Sequence, residues 1–383
     1  MKLVPLGEVA TIERRGVDPG ALPPETAYLG LEHLERGGRI IGRSTVAEAE
    51  VSSTKFRFSA QHVLFGKLRP NLGKISRPDF DGVCSTDILP IRPGGDLDKS
   101  FLAHYLSQPS MVDFAAARSS GANLPRLSPI VLAQFPVPLP PLCEQRRIAA
   151  ILDHADALRA KRRQVLAHLD ALPQAIYLDM FGDPERTSDN ILLGAVANFV
   201  GGRSIVADDA ASASDYRVLK ISAVTSGYFK PWESKPLPHG YLPPTDHLVR
   251  SGDLLMSRAN TAELVGAVAH VDSAPANLAL PDKVWRFVWK TEAEPTYWHA
   301  LLRTPAIRRR ISGLSSGTGG SMKNVAKAKL DAMLVPKVEL HRQREFAERA
   351  HQASIARATA TAALAADDLL FASLQSRAFR GAV

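Results

Sequence analysis

A heptad-spaced stretch near the middle of the chain constrains the fold most, because its period dictates lengthwise helix packing and because it recurs. Residues 136–181 open with a proline-rich run, Pro136 to Pro141, and continue as a helical pattern. Ile148, Ile151, Ala155, Leu158, Val165, Leu169, Leu172 and Ile176 step by three and four once Arg162 fills the one gap. That spacing lays an apolar stripe along a helix and packs it against another helix. Val335-Pro336 follow Val137-Pro138 by 198 residues, and Gln343-Arg344 follow Gln145-Arg146 by the same 198. No proline occurs from Leu340 to Phe379, and Ile355, Ala358, Ala362, Ala365, Leu369 and Ala372 again step by three and four. The expectation is two long helices, one closing each half of the chain, paired through a small-residue face of the second. Two unpaired surface helices are the alternative. Pro173 lies within the first stripe, where a proline ends or kinks a helix.

The rest of the chain repeats in the same order. Leu6-Gly7 returns as Leu193-Gly194, the strand Leu29–Leu31 as Leu219–Ile221, and Val63-Leu64-Phe65-Gly66-Lys67 as Leu254-Leu255-Met256-Ser257-Arg258. His104 returns as His299 and Ser119-Ser120-Gly121 as Ser315-Ser316-Gly317. The offset grows from 187 to 198 without a break in order, as it does when loops lengthen in a duplicated unit. A period this long is a repeated domain, not a solenoid. The fold class is therefore mixed α/β (α+β): two tandem domains, each followed by a long α-helix, the helices pairing as an antiparallel coiled coil. The expected boundaries are 1–140 (domain), 141–181 (helix), 182–338 (domain) and 339–383 (helix), with the polar, turn-rich residues 182–190 at the junction. Within the first domain, residues 27–31, 62–65 and 83–91 read as strands, and 101–106 and 111–118 as helices. Residues 119–123 read as a flexible loop, and 125–135 as a return to the proline-rich hinge. Residues 35–60 and 225–250 share almost nothing, and all four tryptophans lie in the second domain. A common scaffold with divergent loops suggests two related targets that are not identical.

Charge points to the kind of partner. A net charge of +8 and a pI near 9.5 favour a polyanion, most often nucleic acid. Cys84 and Cys143 are the only cysteines, so there is neither a disulfide framework nor a cysteine-based metal site, which fits a reducing compartment. The opening MKLVPLGEVATIERR lacks the apolar core of a signal peptide, and no apolar run reaches the roughly 18 residues of a membrane span. The expectation is a cytoplasmic protein with no membrane partner.

Catalytic patterns are missing where they would be needed. Gly317-Thr318-Gly319-Gly320-Ser321-Met322-Lys323 fits neither the nucleotide P-loop nor the dinucleotide fingerprint. Pro78-Asp79 and Pro281-Asp282 start a metal-nuclease pattern but lack its acidic-x-Lys continuation, and no Asn/Asp-Pro-Pro-aromatic loop of an amino-methyltransferase occurs. Asp153, His154 and Asp156 sit together on the long helix and read as solvated surface. The basic loops carry more information. Lys67, Arg69, Asn71 and Lys74 follow a strand and are interleaved with Gly66, Pro70 and Gly73. Arg258, Asn260 and Thr261 occupy the same turn of the second copy. Asn123 with Arg126, and Lys323 with Asn324, form a second candidate surface around the Ser-Gly loops. Arginine and lysine neutralise phosphates, while arginine and asparagine also grip guanine and adenine edges with paired hydrogen bonds. The helix run Arg159, Lys161, Arg162, Arg163 reads either as a solvated coiled-coil flank or as phosphate contacts.

The run Pro138-Leu139-Pro140-Pro141-Leu142-Cys143-Glu144-Gln145-Arg146-Arg147-Ile148, with Ile151-Leu152-Asp153 after it, resembles the hinge and helix of type I restriction-modification specificity subunits. VLFGKLRPNLGKI and GDLLMSRANT resemble that family's recognition loops, and the resemblance extends over the whole chain. The second hinge departs from it, since Val335-Pro336-Lys337-Val338-Glu339-Leu340 lacks the double proline. The resemblance implies two target-recognition domains on double-stranded DNA, an asymmetric bipartite site, and no catalysis by this chain. It implies two methyltransferase subunits and restriction subunits as partners, with S-adenosylmethionine, ATP and magnesium held on those partners only. A helix of about 30 residues is about 45 Å long, against about 34–36 Å for a turn of B-DNA, so helix length would act as a ruler for the spacer. The alternatives are a DNA methyltransferase or nuclease acting alone, and a coiled-coil scaffold that touches no DNA.

Overall fold

The computed structural model describes residues 2–204, 214–317 and 322–380. It divides into two compact units, Met1–Arg163 with Ala362–Val383, and Gln164–Thr361. Each unit is a mixed α/β domain that holds part of both long helices.

Unit 1 begins with β1 (Leu3–Pro5), the single-turn helix α1 (Leu6–Val9) and β2 (Ala10–Ile12). The strands β3 (Gly16–Val17), β4 (Ala27–Leu29), β5 (Ser44–Thr45), β6 (Lys55–Phe58), β7 (Val63–Gly66), β8 (Ile75–Ser76), β9 (Gly82–Cys84) and β10 (Ile88–Pro93) follow. Helices α2 (Lys99–Leu106), α3 (Pro109–Ala117) and α4 (Pro129–Ala133) lead to β11 (Pro136–Pro138) and the long α5 (Leu142–Phe181). Two sheets result, a four-stranded one in the order β2-β10-β7-β8 and a five-stranded one in the order β3-β6-β9-β4-β5. β1 pairs with β11, Val4 opposite Val137, so the start of the domain is zipped to the residues that launch α5. The stretch 125–135 is not simply a return to the hinge, because Ser128 caps Pro129–Ala133 into a helical turn.

Unit 2 repeats this plan. Its strands are β12 (Asn190–Leu192), β13 (Ala197–Gly201), β14 (Arg217–Leu219), β15 (Ser234–Pro236), β16 (Leu254–Ser257) and β17 (Ala259–Asn260), with α6 (Leu193–Val196) between β12 and β13. Then come β18 (Val268–His270), β19 (Leu278–Ala279), β20 (Val284–Trp289), α7 (Pro295–Arg303) and α8 (Pro305–Leu314). The chain closes through β21 (Ser315–Ser316), β22 (Lys323–Val325), α9 (Lys327–Asp331), β23 (Leu334–Pro336) and the long α10 (Leu340–Arg380). The sheet β13-β20-β16-β18 matches β2-β10-β7-β8 strand for strand, and β12·β23 matches β1·β11 with Val335 opposite Ile191. The order β15-β14-β19 matches β5-β4-β9, including the one parallel pair. The repeated Leu-Gly has a steric cause. A Cβ on Gly7 would stand 3.2 Å from the Ala133 Cβ, and one on Gly194 would stand 2.8 Å from that of Asp331. A side chain at Gly194 would therefore force α6 away from α9, and one at Gly7 would press α4 back by a few tenths of an ångström.

The glutamines that recur 198 residues apart latch each long helix to its own domain. Gln145 is fully buried. Its Oε1 accepts from the Asp98 N–H at 2.8 Å, and its Nε2 donates to the Asp96 and Pro140 carbonyls at 2.8 and 2.9 Å. Gln343 accepts from the Glu294 N–H at 3.1 Å and donates to the Val338 carbonyl at 2.7 Å.

The long helices run antiparallel within each unit. In unit 1, Arg159 bonds Asp368 at 2.6 Å and Arg162 bonds Asp367 at 2.7 Å. In unit 2, Arg357 pairs with Asp170, and Arg342 donates to the Met180 carbonyl at 3.2 Å. The inward stripes are only in part the ones the apolar spacing selects, since Ile148 is buried and Leu169 and Ile176 are half-buried as that spacing expects. On α5 they include Leu152, Arg159, Leu166 and Pro173, while Leu158, Val165 and Leu172 are exposed. On α10 they include Phe346, Ala353, Ala360 and Ala378, while Ile355 and Leu369 are 49% and 75% exposed. An alanine-rich helix offers several paths at three-four spacing, so periodicity alone does not rank them. Aromatic anchors and ion pairs do. Tyr177 is fully buried between Tyr297, Phe181 and Phe346, and Phe379 packs on Phe101 and Tyr105.

Three further expectations change. Pro173 does not end α5, since one helix runs from Leu142 to Phe181, held on either side of Pro173 by Asp170 and Tyr177. Arg159, Arg162 and Arg163 are not a free flank, because they pair with Asp367 and Asp368 of α10, while Lys161 of the same run is exposed. Asp153 is not solvated surface, because it joins the buried His104 and Arg77 at 2.7 Å each. Burial raises the Asp153 pKa, but the hydrogen bonds from His104 and Arg77 outweigh it and hold the carboxyl well below its usual range.

Candidate nucleic-acid interface

In each unit the loop after the central buried strand is fixed by the same main-chain frame. After β7, the Lys67 N–H donates to the Asp87 carbonyl and the Leu127 N–H donates to the Lys67 carbonyl, both at 2.9 Å. After β16, the Arg258 N–H donates to the Lys283 carbonyl at 3.0 Å and the Val325 N–H to the Arg258 carbonyl at 2.9 Å. Bridges continue the match. Arg126 pairs with Leu68 and Ser120 in unit 1, as Asn324 pairs with Ala259 and Ser316 in unit 2. The two basic surfaces that the sequence names separately therefore form one surface per unit. Lys67 corresponds to Arg258, Asp87 to Lys283, and Arg126 to Asn324.

The candidate residues are not equivalent once placed. Arg69 is exposed and left-handed, with φ 49° and ψ 62°, a conformation that arginine rarely adopts and that clusters at functional sites. Its N–H donates to the Pro125 carbonyl at 2.8 Å, which ties its loop to the Arg126 loop. Asn71 is exposed in the following 3-10 turn, and Asn123 is exposed before the Arg126 bridge. Lys74 is diverted, because its ammonium donates to the Leu31 carbonyl at 2.7 Å. Arg126 is held by Asp87, with Nε to Oδ1 at 2.9 Å and Nη2 to Oδ2 at 3.3 Å. That hydrogen bond raises the Arg126 pKa above its already high ordinary value.

In unit 2, Arg258 donates from Nε to the Asp282 carbonyl at 2.6 Å and lies 5.7 Å over the Trp285 ring. Asn260 turns inward to its own loop, accepting from the Thr261 N–H at 2.9 Å. Thr261 is exposed, Lys323 bonds the Gly317 carbonyl at 3.2 Å, and Asn324 is exposed on β22. Of the glycine-rich stretch 317–323, residues 318–321 lie outside the described residues.

Sequence reasoning missed Asp87 and Lys283 at this surface and met Asp282 only as a discarded nuclease pattern. A signal existed. Asp87 and Lys283 immediately precede Ile88 and Val284, which open the matched strands β10 and β20. Among the described residues no group of three or more histidine, cysteine or acidic side chains is placed to hold a metal ion. No helix there is long and apolar enough to cross a membrane.

The fold and surface define a class: a duplicated domain-and-helix protein with one framed basic loop surface per copy. Residues 1–168 match the type I restriction modification DNA specificity domain. The chain is 32% identical over 163 residues to the type I restriction enzyme EcoDI specificity subunit of Escherichia coli, covering 41% of this chain and 36% of that one. It is 24% identical over 322 residues to the EcoKI specificity subunit of Escherichia coli strain K12, covering 76% of this chain and 67% of that one. The match to the EcoDI subunit thus spans little more than a third of that relative's length. By fold, the S subunit of a type I system from M. genitalium superposes with a TM-score of 0.58 at 12% identity, over 98% of this chain and 95% of that one. A chain from a structure of type I R-M complex assembly and conformational transition superposes with a TM-score of 0.58 at 20% identity, over 100% and 98%. Residues 1–168 thus carry the match to the DNA specificity domain, and the whole chain shares its fold with chains of type I systems.

Proposed function

We propose that this chain is the DNA-specificity subunit of a type I restriction-modification complex. Each domain reads one half of an asymmetric, bipartite duplex site, and the paired long helices set the length of the spacer. The chain performs no chemistry itself. It positions two methyltransferase subunits, and through them restriction subunits, which bring S-adenosylmethionine, ATP and magnesium. The observation that carries this reading is the shared frame. One main-chain scaffold presents Lys67, Asp87 and Arg126 in one unit and Arg258, Lys283 and Asn324 in the other. A scaffold kept while its exposed groups differ is what two non-identical half-sites require.

The test is co-expression with the methyltransferase subunits and mapping of adenine methylation across the host DNA. A two-part motif that appears only with this chain is expected. Binding of the complex to duplex DNA should also fall steeply with salt, since phosphate neutralisation releases counterions. A stable complex that adds no motif and binds DNA without salt dependence would overturn the proposal and favour a scaffold. Methylation or cleavage by the purified chain alone would overturn the non-catalytic part.

A further inference from the structure

Each unit holds one arginine of the candidate interface by the same corner of its guanidinium. Asp87 takes the Nε and Nη2 of Arg126. Asp282 takes the Nε of Arg258 through its carbonyl, and its carboxylate stands 3.9 Å from Nη2. A guanidinium is a rigid planar fork, so binding at the Nε side leaves the Nη1–Nη2 end directed away from the aspartate. The main chain beneath is fixed as well. Arg126 exchanges both hydrogen bonds with Ser120, at 2.8 and 3.0 Å, and Arg258 is bonded to Lys283 and Val325. The Trp285 ring under Arg258 limits its remaining freedom. Arg69 is the contrast. Its backbone is pinned, yet among the described residues none bonds its guanidinium.

These differences matter for what each arginine can read. A phosphate needs a positive charge and tolerates its wandering. A base edge needs two donors at fixed positions, and guanine in the major groove, with O6 and N7 side by side, is the edge that takes an arginine fork. An aspartate beside an arginine weakens a pure phosphate contact by cancelling its charge, but it sharpens a directional one by orienting the fork in advance. An oriented side chain also loses less rotamer freedom on binding.

We infer that Arg126 and Arg258 are the guanine-reading residues of the two half-sites, with Asp87 and Asp282 as the groups that position them, and that Arg69 contacts phosphate. This inference rests on the DNA-specificity reading above. It adds to that reading an assignment of one G·C pair per half-site, and it gives the acidic residues of a basic surface a role.

The test uses the full chain in complex with its methyltransferase subunits and a duplex library randomised over both half-sites and the spacer, selected by binding and sequenced. The wild-type complex should enrich a bipartite motif with a guanine in each half. Arg126→Ala should abolish preference at one guanine, by about tenfold or more, and leave the other half-site intact. Arg258→Ala should do the converse. Arg126→Lys keeps the charge but not the fork, so it should lose the same base preference while retaining the salt dependence of binding. Asp87→Asn should relax the same pair as Arg126→Ala, a readout that a merely structural ion pair would not move. Arg69→Ala should weaken all sequences alike and reduce the salt slope by about one ion. A wild-type motif that survives unchanged in the Arg126 and Arg258 variants overturns the inference and leaves the functional reading standing. So does uniform weakening in those variants. A wild-type complex that enriches no motif overturns both.

Discussion

Replacing Gln145 with alanine should destabilise unit 1 by more than the matching change at Gln343 destabilises unit 2. Gln145 is fully buried and makes three hydrogen bonds to main-chain groups of the Asp96–Asp98 loop and the hinge. Alanine leaves the Asp98 N–H and two carbonyls without these partners in a water-poor site. At about 1 kcal/mol for each lost bond, and more where a buried group stays unpaired, the cost is roughly 3–4 kcal/mol. Gln343 makes two such bonds, so its alanine variant should lose about 2 kcal/mol. In a unit of this size these losses correspond to roughly 6–16 °C and 4–8 °C in melting temperature. The assay separates the units without dissecting the chain. All four tryptophans, Trp232, Trp285, Trp289 and Trp298, lie in unit 2, so tryptophan fluorescence follows unit 2 and far-ultraviolet circular dichroism follows both. Gln145→Ala should shift the dichroism component that fluorescence does not track, and Gln343→Ala should shift the fluorescence midpoint. Gln145→Glu should do no better than alanine, because it turns an oxygen toward two carbonyl oxygens. Wild-type stability in Gln145→Ala, or a larger loss in Gln343→Ala, would refute the latch and its hydrogen-bond arithmetic.

Three further outcomes are expected. His299 is half-buried, and desolvation of its ring, with Arg303 and His270 nearby, pushes its pKa down to about 3. The unfolded chain therefore binds a proton first, and its stabilising effect, complete above about pH 6.5, is lost as pH falls toward 3; urea midpoints by tryptophan fluorescence should decline over that range and flatten in His299→Gln, and an identical slope in the variant would exclude it as the cause. The Asp153 carboxyl, depressed by His104 and Arg77, adds stability above about pH 4 that is lost on further acidification; Asp153→Asn should cost unit 1 about 1 kcal/mol at pH 7, a value reduced for the group's partial exposure, and the gap to wild type should close below pH 4 in acid titrations by circular dichroism. Seven residues added after Arg163 and seven after Thr361 keep both helices in heptad register and lengthen each by about 10 Å; the preferred DNA spacer of the complex should grow by about three base pairs, and an unchanged spacer in methylation mapping would remove the ruler.

The sequence by itself determined the duplication, the order of domain and helix, and the residues of the basic loops. These follow from local rules: periodicity marks a long helix, glycine and proline mark turns, and a repeated order exposes a repeated unit. The offsets read from Val137, Leu29 and Val63 correspond to paired strands in the structure. What tertiary structure decided is which of several equivalent choices is used. The face of α10 is one case. Its alanines fit more than one stripe, and the choice falls to Phe346, Arg357, Asp367 and Ala378, which have distant partners. The site is another. Lys74 is as basic as Arg69 in sequence, yet the Leu31 carbonyl claims it. Asp87 looks out of place beside a polyanion-binding loop until it meets Arg126, 39 residues away. Charge and spacing are local properties of a chain. Which charge faces outward, and which is held in place by a neighbour, depends on contacts between residues far apart in sequence.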